Sequence, residues 1–128
     1  MNLKKTAFLA ICSCALLGCG PKTKIESGTT ITATVWNISE TIFAKNLVLS
    51  SDERAQASLR AMRCEVAFES PFNQAAQLHE ATTATLACDK KDPVKFLVEL
   101  LGPEGKPGVS EFSVGKSITL KLKESVSI

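Results

Sequence analysis

Reactive side chains are few in this sequence, and the search for chemistry begins with its cysteines and its one histidine. Cysteines stand at positions 12, 14, 19, 64 and 88, and His79 is the sole histidine. A thiol or hydroxyl nucleophile would need that imidazole as its base, and no nucleophile motif accompanies it. His79 precedes Glu80 where a short helix is expected to end, a place where an exposed imidazole interacts with the helix dipole. Glu65 and Glu69 lie on one strand as a candidate carboxylate pair, although solvated charge is the commoner meaning of such residues. Asp89 and Asp92 flank Lys90 and Lys91 in a turn that lacks EF-hand ligand spacing. Two thiols and one imidazole make a poor metal site. Trp36 is the only tryptophan and tyrosine is absent. A surface that stacks sugars or bases usually carries more aromatic rings, so Trp36 is expected in the core or at a barrel end. The reading is non-catalytic, with no catalytic residue, metal or cofactor.

The amino-terminal residues carry more information. Lys4 and Lys5 precede an almost unbroken apolar stretch over residues 6–17, which leads into Leu16-Leu17-Gly18-Cys19. A positive flank, an apolar segment too short to span a bilayer and a small residue before a cut make an export signal over residues 1–18. Leu16-Leu17-Gly18-Cys19 resembles the lipobox of bacterial lipoproteins. This resemblance covers about the first twenty residues. It implies that the Cys19 thiol takes a diacylglyceryl group, that cleavage precedes it, and that its new amine is acylated as well. The chain would then be held to a membrane through lipid at Cys19. Leu17 is larger than the family's usual residue there. Gly20, not aspartate, follows the cysteine, which in Gram-negative sorting implies the periplasmic face of the outer membrane.

Export changes the composition that counts. Residues 19–128 form a chain of 110 residues, and loss of Lys4 and Lys5 leaves thirteen basic against thirteen acidic side chains. That length suits one domain with a modest core. A neutral surface of mixed sign gives no footprint for nucleic acid. Cys12 and Cys14 leave with the signal and Cys19 is lipidated, so Cys64 and Cys88 remain as an even pair in an oxidising compartment and are expected to form a disulfide. Residues 19–28 (CGPKTKIESG) read as the lipidated amino terminus and a tether, and residues 29–128 as a single β-rich periplasmic domain.

The elements that would position these groups are mostly strands. Ile31, Ala33 and Val35 alternate with threonines, and a second apolar run covers residues 42–49. Ser50-Ser51-Asp52-Glu53 resembles a capping box ahead of helix formers at 55–62. Cys64, Val66 and Phe68 alternate as a half-buried strand. Ser70-Pro71 reads as a helix start, with two turns over 72–78. Strands follow with Ala84, Leu86 and Cys88 inward, then Val94, Phe96, Val98 and Leu100, and last Ile118, Leu120 and Leu122. Lys116, Lys121 and Lys123 are expected to protect the last strand as a sheet edge. The order resembles the OB fold over residues 30–101, with the helix at 72–78 between its third and fourth strands and the last strand as an extension. The fold class is mainly β with one or two short helices, a small OB-like barrel or else a β-sandwich.

The function expected from this is a lipid-anchored, non-catalytic binding or accessory protein of the bacterial envelope. Its partner would be a protein of a secretion, pilus or conjugation apparatus, met through a loop or a barrel groove. The alternative is an inhibitor of a hydrolase such as lysozyme, inserting the loop at 103–110. An enzyme using His79 or Glu65 is the less favoured third reading.

Overall fold

A computed structural model describes residues 23–50 and 53–128. The export signal, Cys12, Cys14, Cys19 and the middle of the capping box at Ser51 and Asp52 lie outside the described residues.

Inward alternation of β-branched and aliphatic side chains closes a barrel, and the expected fold class is what is found. The strands are β1 (Lys24–Ile25), β2 (Thr30–Ile38), β3 (Thr41–Leu49), β4 (Glu65–Glu69), β5 (Phe72–Asn73), β6 (Leu78–His79), β7 (Thr83–Ala87), β8 (Val94–Leu101), β9 (Ser117–Leu122) and β10 (Val126–Ser127), with helix α1 (Glu53–Met62). Six of them, β2-β3-β4-β7-β8-β9, make a small closed antiparallel barrel. Each barrel strand pairs with its sequence neighbours, and β9 returns to β2 through Thr30↔Lys121 to Thr34↔Ser117. A barrel this narrow has room only for its own side chains. Ile31, Val35, Val66, Leu86, Leu100, Leu120 and Leu122 fill it and are nearly inaccessible.

Three details differ from the sequence expectation. The helix expected at 72–78 is a hairpin, β5 against β6, in register Phe72↔His79 and Asn73↔Leu78. Two isolated turns of helix are marginal in water. The hairpin instead stacks Phe72 on His79, with ring centroids 5.0 Å apart, and Asn73 Oδ1 accepts from the Ala76 amide in the turn. The one α-helix among the described residues therefore precedes the third barrel strand. The last strand is no extension and has no edge: β9 pairs with β2 and β8. Lys121 stands opposite Glu99 in that register, a cross-strand charge pair within a closed wall. Residues 23–25, expected within a tether, are part of the folded domain. Thr23 exchanges both backbone hydrogen bonds with Ile128, Lys24–Ile25 pairs with β10, and Ile25 is buried.

Strand β3 outruns its neighbour. Its pairing with β4 ends at Ala44↔Val66, while its pairing with β2 continues to Leu49↔Ile31. Helix α1 lies along the edge left bare, with Ala55 and Leu59 turned into the core. It ends in a Schellman motif: Arg63 takes the left-handed conformation (φ 53°), and the Cys64 amide reaches back to the Leu59 carbonyl at 3.3 Å. The chain then enters β4 at the disulfide. Glu65 pairs with Ala87, so Cys64 and Cys88 face one another across antiparallel strands, as the sequence reading expected, and they are bonded with their Cα atoms 4.0 Å apart. Among the described residues the buried core side chains run from Ile25 to Ile128.

The bridge closes a loop over a sequence separation of 24, worth about 3 kcal/mol in the chain-entropy account. Cys64→Ala and Cys88→Ala are each expected to lower unfolding free energy by about that amount, and the double variant by little more, because the two thiols form one interaction. Urea unfolding measures this, and single effects that simply add would mean the cysteines act independently.

Candidate functional site

Two irregularities in neighbouring strands shape a groove beside the barrel. Between Thr32↔Val48 and Thr34↔Lys45 the β3 strand carries one extra residue. Asn46 is left-handed there (φ 60°), a conformation that asparagine tolerates better than most residues. Beyond it the inward set of β3 changes phase, from Ile42 and Ala44 to Leu47 and Leu49. Between Val35↔Ala44 and Asn37↔Phe43 the extra residue is on β2, and it is Trp36. The indole continues the outward set of Thr30, Thr32 and Thr34 and stands beside Phe43, ring centroids 5.8 Å apart, with Trp36 40% exposed.

Helix α1 forms the facing wall. Gln56 holds it to the bare edge of β3, accepting from the Leu49 amide at 2.6 Å and donating to the Leu47 carbonyl at 2.8 Å. The side-chain amide thus supplies the donor and acceptor that a neighbouring strand would have given. Between these walls lies a groove of about 710 Å³, lined by Trp36, Lys45, Val48, Leu59, Arg60 and Arg63 among others. Leu59 and Leu47 are buried at its base, whereas Val48 is 56% exposed.

The charges around the groove are mostly positive. The Lys45 ammonium lies 5.6 Å from the Trp36 ring centroid, within cation–π range. Trp36 Nε1 donates to Glu65 Oε1 at 2.9 Å, which fixes the ring and engages the one acid on the groove wall. Arg63 is 4.0 Å from Asp89, both side chains largely exposed, a separation and setting in which pairing contributes little. Among the described residues neither Lys45 nor Arg60 has a carboxylate partner.

Other residues singled out from the sequence go elsewhere. Glu65 and Glu69 stand at opposite ends of β4, about 13 Å apart along the strand, too far for the carboxylate pair of a glycosidase. His79 is not at a helix end but in β6, where its ring lies between Phe72 and Phe112 at 5.0 and 5.2 Å. Its Nδ1 is 3.1 Å from the Ser70 carbonyl, so that nitrogen carries the proton. A smaller cleft of about 310 Å³ beside it includes Ser39 and Ser70, whose hydroxyls donate to the Thr41 and Glu80 carbonyls. The loop after β8 is tied back by Gly108 N to Leu100 O and by paired bonds between His79 and Val109. Gly108 has φ 91°, and a Cβ there would meet Leu78 Cδ1 at 2.9 Å. Among the described residues no group of three potential ligands could hold a metal ion, and no helix is long and apolar enough to cross a membrane.

Trp36 is where sequence reading fell short: scarcity of aromatic residues suggested a core or barrel-end ring, whereas the alternation of Ile31, Ala33 and Val35 already put position 36 on the outward face. Arg60 and Arg63 had a faint signal, three residues apart on one flank of an expected helix. Gln56→Ala is expected to cost about 2 kcal/mol for two backbone groups left unpaired at a partly buried edge, measured by urea unfolding. A loss no larger than that of an exposed control such as Ala57→Ser would show that the latch is unimportant. No protein-family model, curated protein or solved structure matches this chain.

Proposed function

We propose that this chain is a lipid-anchored, non-catalytic binding protein of the bacterial cell envelope, and that the groove between β3 and α1 is its binding surface. The observation that carries the reading is the exposed Trp36, at a bulge of β2, on a groove with three cationic side chains, Lys45, Arg60 and Arg63. A protruding aromatic with arginines around it is the composition of an anchor point for recognition. The groups a hydrolase would need are apart, as described for His79, Glu65 and Glu69.

The anchor rests on Lys4, Lys5, the apolar stretch and the Leu16-Leu17-Gly18-Cys19 lipobox. If Cys19 carries lipid, the leash is short. Thr23 is already tied to Ile128, and its hydroxyl meets Ser58 on α1 at 3.2 Å. Three residues, Gly20, Pro21 and Lys22, lie between Cys19 and Thr23, a reach of at most about 14 Å. The domain would ride against the membrane on its α1 side, as an accessory to a larger envelope assembly. Gly20 after the cysteine favours the outer membrane, periplasmic face.

Expression in a Gram-negative host is expected to give a mature protein whose amino-terminal peptide carries acyl mass on Cys19 and which fractionates with the outer membrane. Cys19→Ser is expected to abolish that mass and the membrane association. A Cys19→Ser protein that stays with membranes, or wild type found mainly in the inner membrane, would overturn the anchoring or the sorting respectively.

A further inference from the structure

We infer that the groove binds a small anionic amphiphile, a molecule with an acidic head and an apolar chain. The inference rests on the reading of this groove as the binding surface and adds its ligand class. Three observations lead there. The groove's volume, about 710 Å³, falls in the range of small-molecule sites and is modest for a protein interface. Its lining divides by chemistry: Leu47 and Leu59 at the base and Val48 and Trp36 on the wall are apolar, while Lys45, Arg60 and Arg63 stand at the rim. An acyl chain on the first set removes apolar surface from water, and an acidic head reaches the second without leaving a charge buried alone.

The third observation is the cation balance. The described residues carry as many acidic as basic side chains, yet the groove gathers three cations against Glu65, and Glu65 is held by the Trp36 indole. Lys45 and Arg60 lack carboxylate partners among the described residues, and Arg63 meets Asp89 only at 4.0 Å. An anion entering there finds donors that need not first be freed. Arginine's planar fork suits a phosphate or carboxylate head. Trp36 closes the apolar side; its N–H stays on Glu65 and Lys45 stands over the ring, so what the indole adds to the groove is exposed apolar area beside a cation, which suits a chain joined to an acidic head.

Because Trp36 is the only tryptophan and tyrosine is absent, intrinsic fluorescence reports on the groove alone. A chain beginning at Gly20, which retains every described residue, would be titrated with dodecyl phosphate below its micelle concentration. Inorganic phosphate, dodecyl maltoside and hexaglutamate would be titrated in parallel. The expected result is a saturable blue shift with dodecyl phosphate, with each of the other three at least tenfold weaker. The double variant Arg60→Gln/Arg63→Gln, with unchanged thermal unfolding, is expected to weaken dodecyl phosphate at least tenfold and to leave dodecyl maltoside as it was. Equal binding of dodecyl maltoside, equal binding of inorganic phosphate, or no saturable shift with any probe would each overturn the inference. A response to hexaglutamate as strong as to dodecyl phosphate would overturn it in favour of an acidic peptide. Crosslinking in intact envelopes separates the two readings. A protein partner captured by wild type and lost in the double variant, with no response to dodecyl phosphate, would leave the groove as the binding surface and remove only the amphiphile.

Discussion

A closed barrel requires that every strand find a partner on both sides, and in this domain one strand does not. Between Lys45 and Leu49 strand β3 keeps β2 on one side and has lost β4 on the other. Unpaired backbone groups along a partly buried edge are costly, and the chain meets the cost with a helix instead of a strand. Gln56 supplies the missing donor and acceptor, while Ala55 and Leu59 supply the missing core. The Schellman turn at Arg63 then returns the chain to β4, at the point where Cys64 is bonded to Cys88. The substitution of helix for strand has a geometric consequence. A helix has a diameter of about 10 Å, whereas strands pair about 4.8 Å apart. The wall therefore stands off from β3 above the Gln56 latch, and the space left is the groove.

The bulges determine what lines that space. Extra residues in β3 and β2 are only a few residues from the gap, and each alters which side chains face outward. Asn46 lets β3 return Leu47 and Leu49 to the core after Lys45 has pointed out. Trp36 takes the outward place of the threonines before it, the β2 bulge falls at it, and its ring is held by Phe43, Lys45 and Glu65. The groove is thus an assembly of irregularities: a short strand, two bulges and a helix terminus. Such positions cost stability individually and persist when the surrounding closed sheet fixes them.

The far part of the barrel is closed differently. There the β5–β6 hairpin and the segment around Phe112 fold over the opening. Phe68, Phe112, His79 and Phe72 form a chain of ring contacts with centroids 5.0–6.0 Å apart. His79 joins this chain as an aromatic ring with its Nδ1 proton on the Ser70 carbonyl. A histidine that looked like a lone base in the sequence is a structural ring here. Its neighbours explain why: two phenylalanine rings pack against it at steep angles, and the nearby serine hydroxyls are bound to carbonyls.

The sequence by itself determined the class of the domain and most of its core. Period-two alternation in Ile31–Ala33–Val35, Val66–Phe68, Ala84–Leu86, Phe96–Val98–Leu100 and Ile118–Leu120–Leu122 is a local property, and each of these residues is buried where the alternation put it. The pairing of Cys64 with Cys88 was legible for a similar reason, since one begins an antiparallel strand and the other ends its neighbour. The stretch 72–78 was misread because its composition suits a helix or a hairpin about equally. The contact that decides between them, His79 with Val109, joins residues 30 apart in sequence. The lysines of β9 were misread as edge protection because closure onto β2 depends on the curvature of the whole sheet, which no single strand encodes. The groove was the least legible feature. Trp36, Lys45, Arg60 and Arg63 are scattered over nearly thirty positions, and only the gap in the wall, a mismatch between the lengths of two strands, brings them to one place.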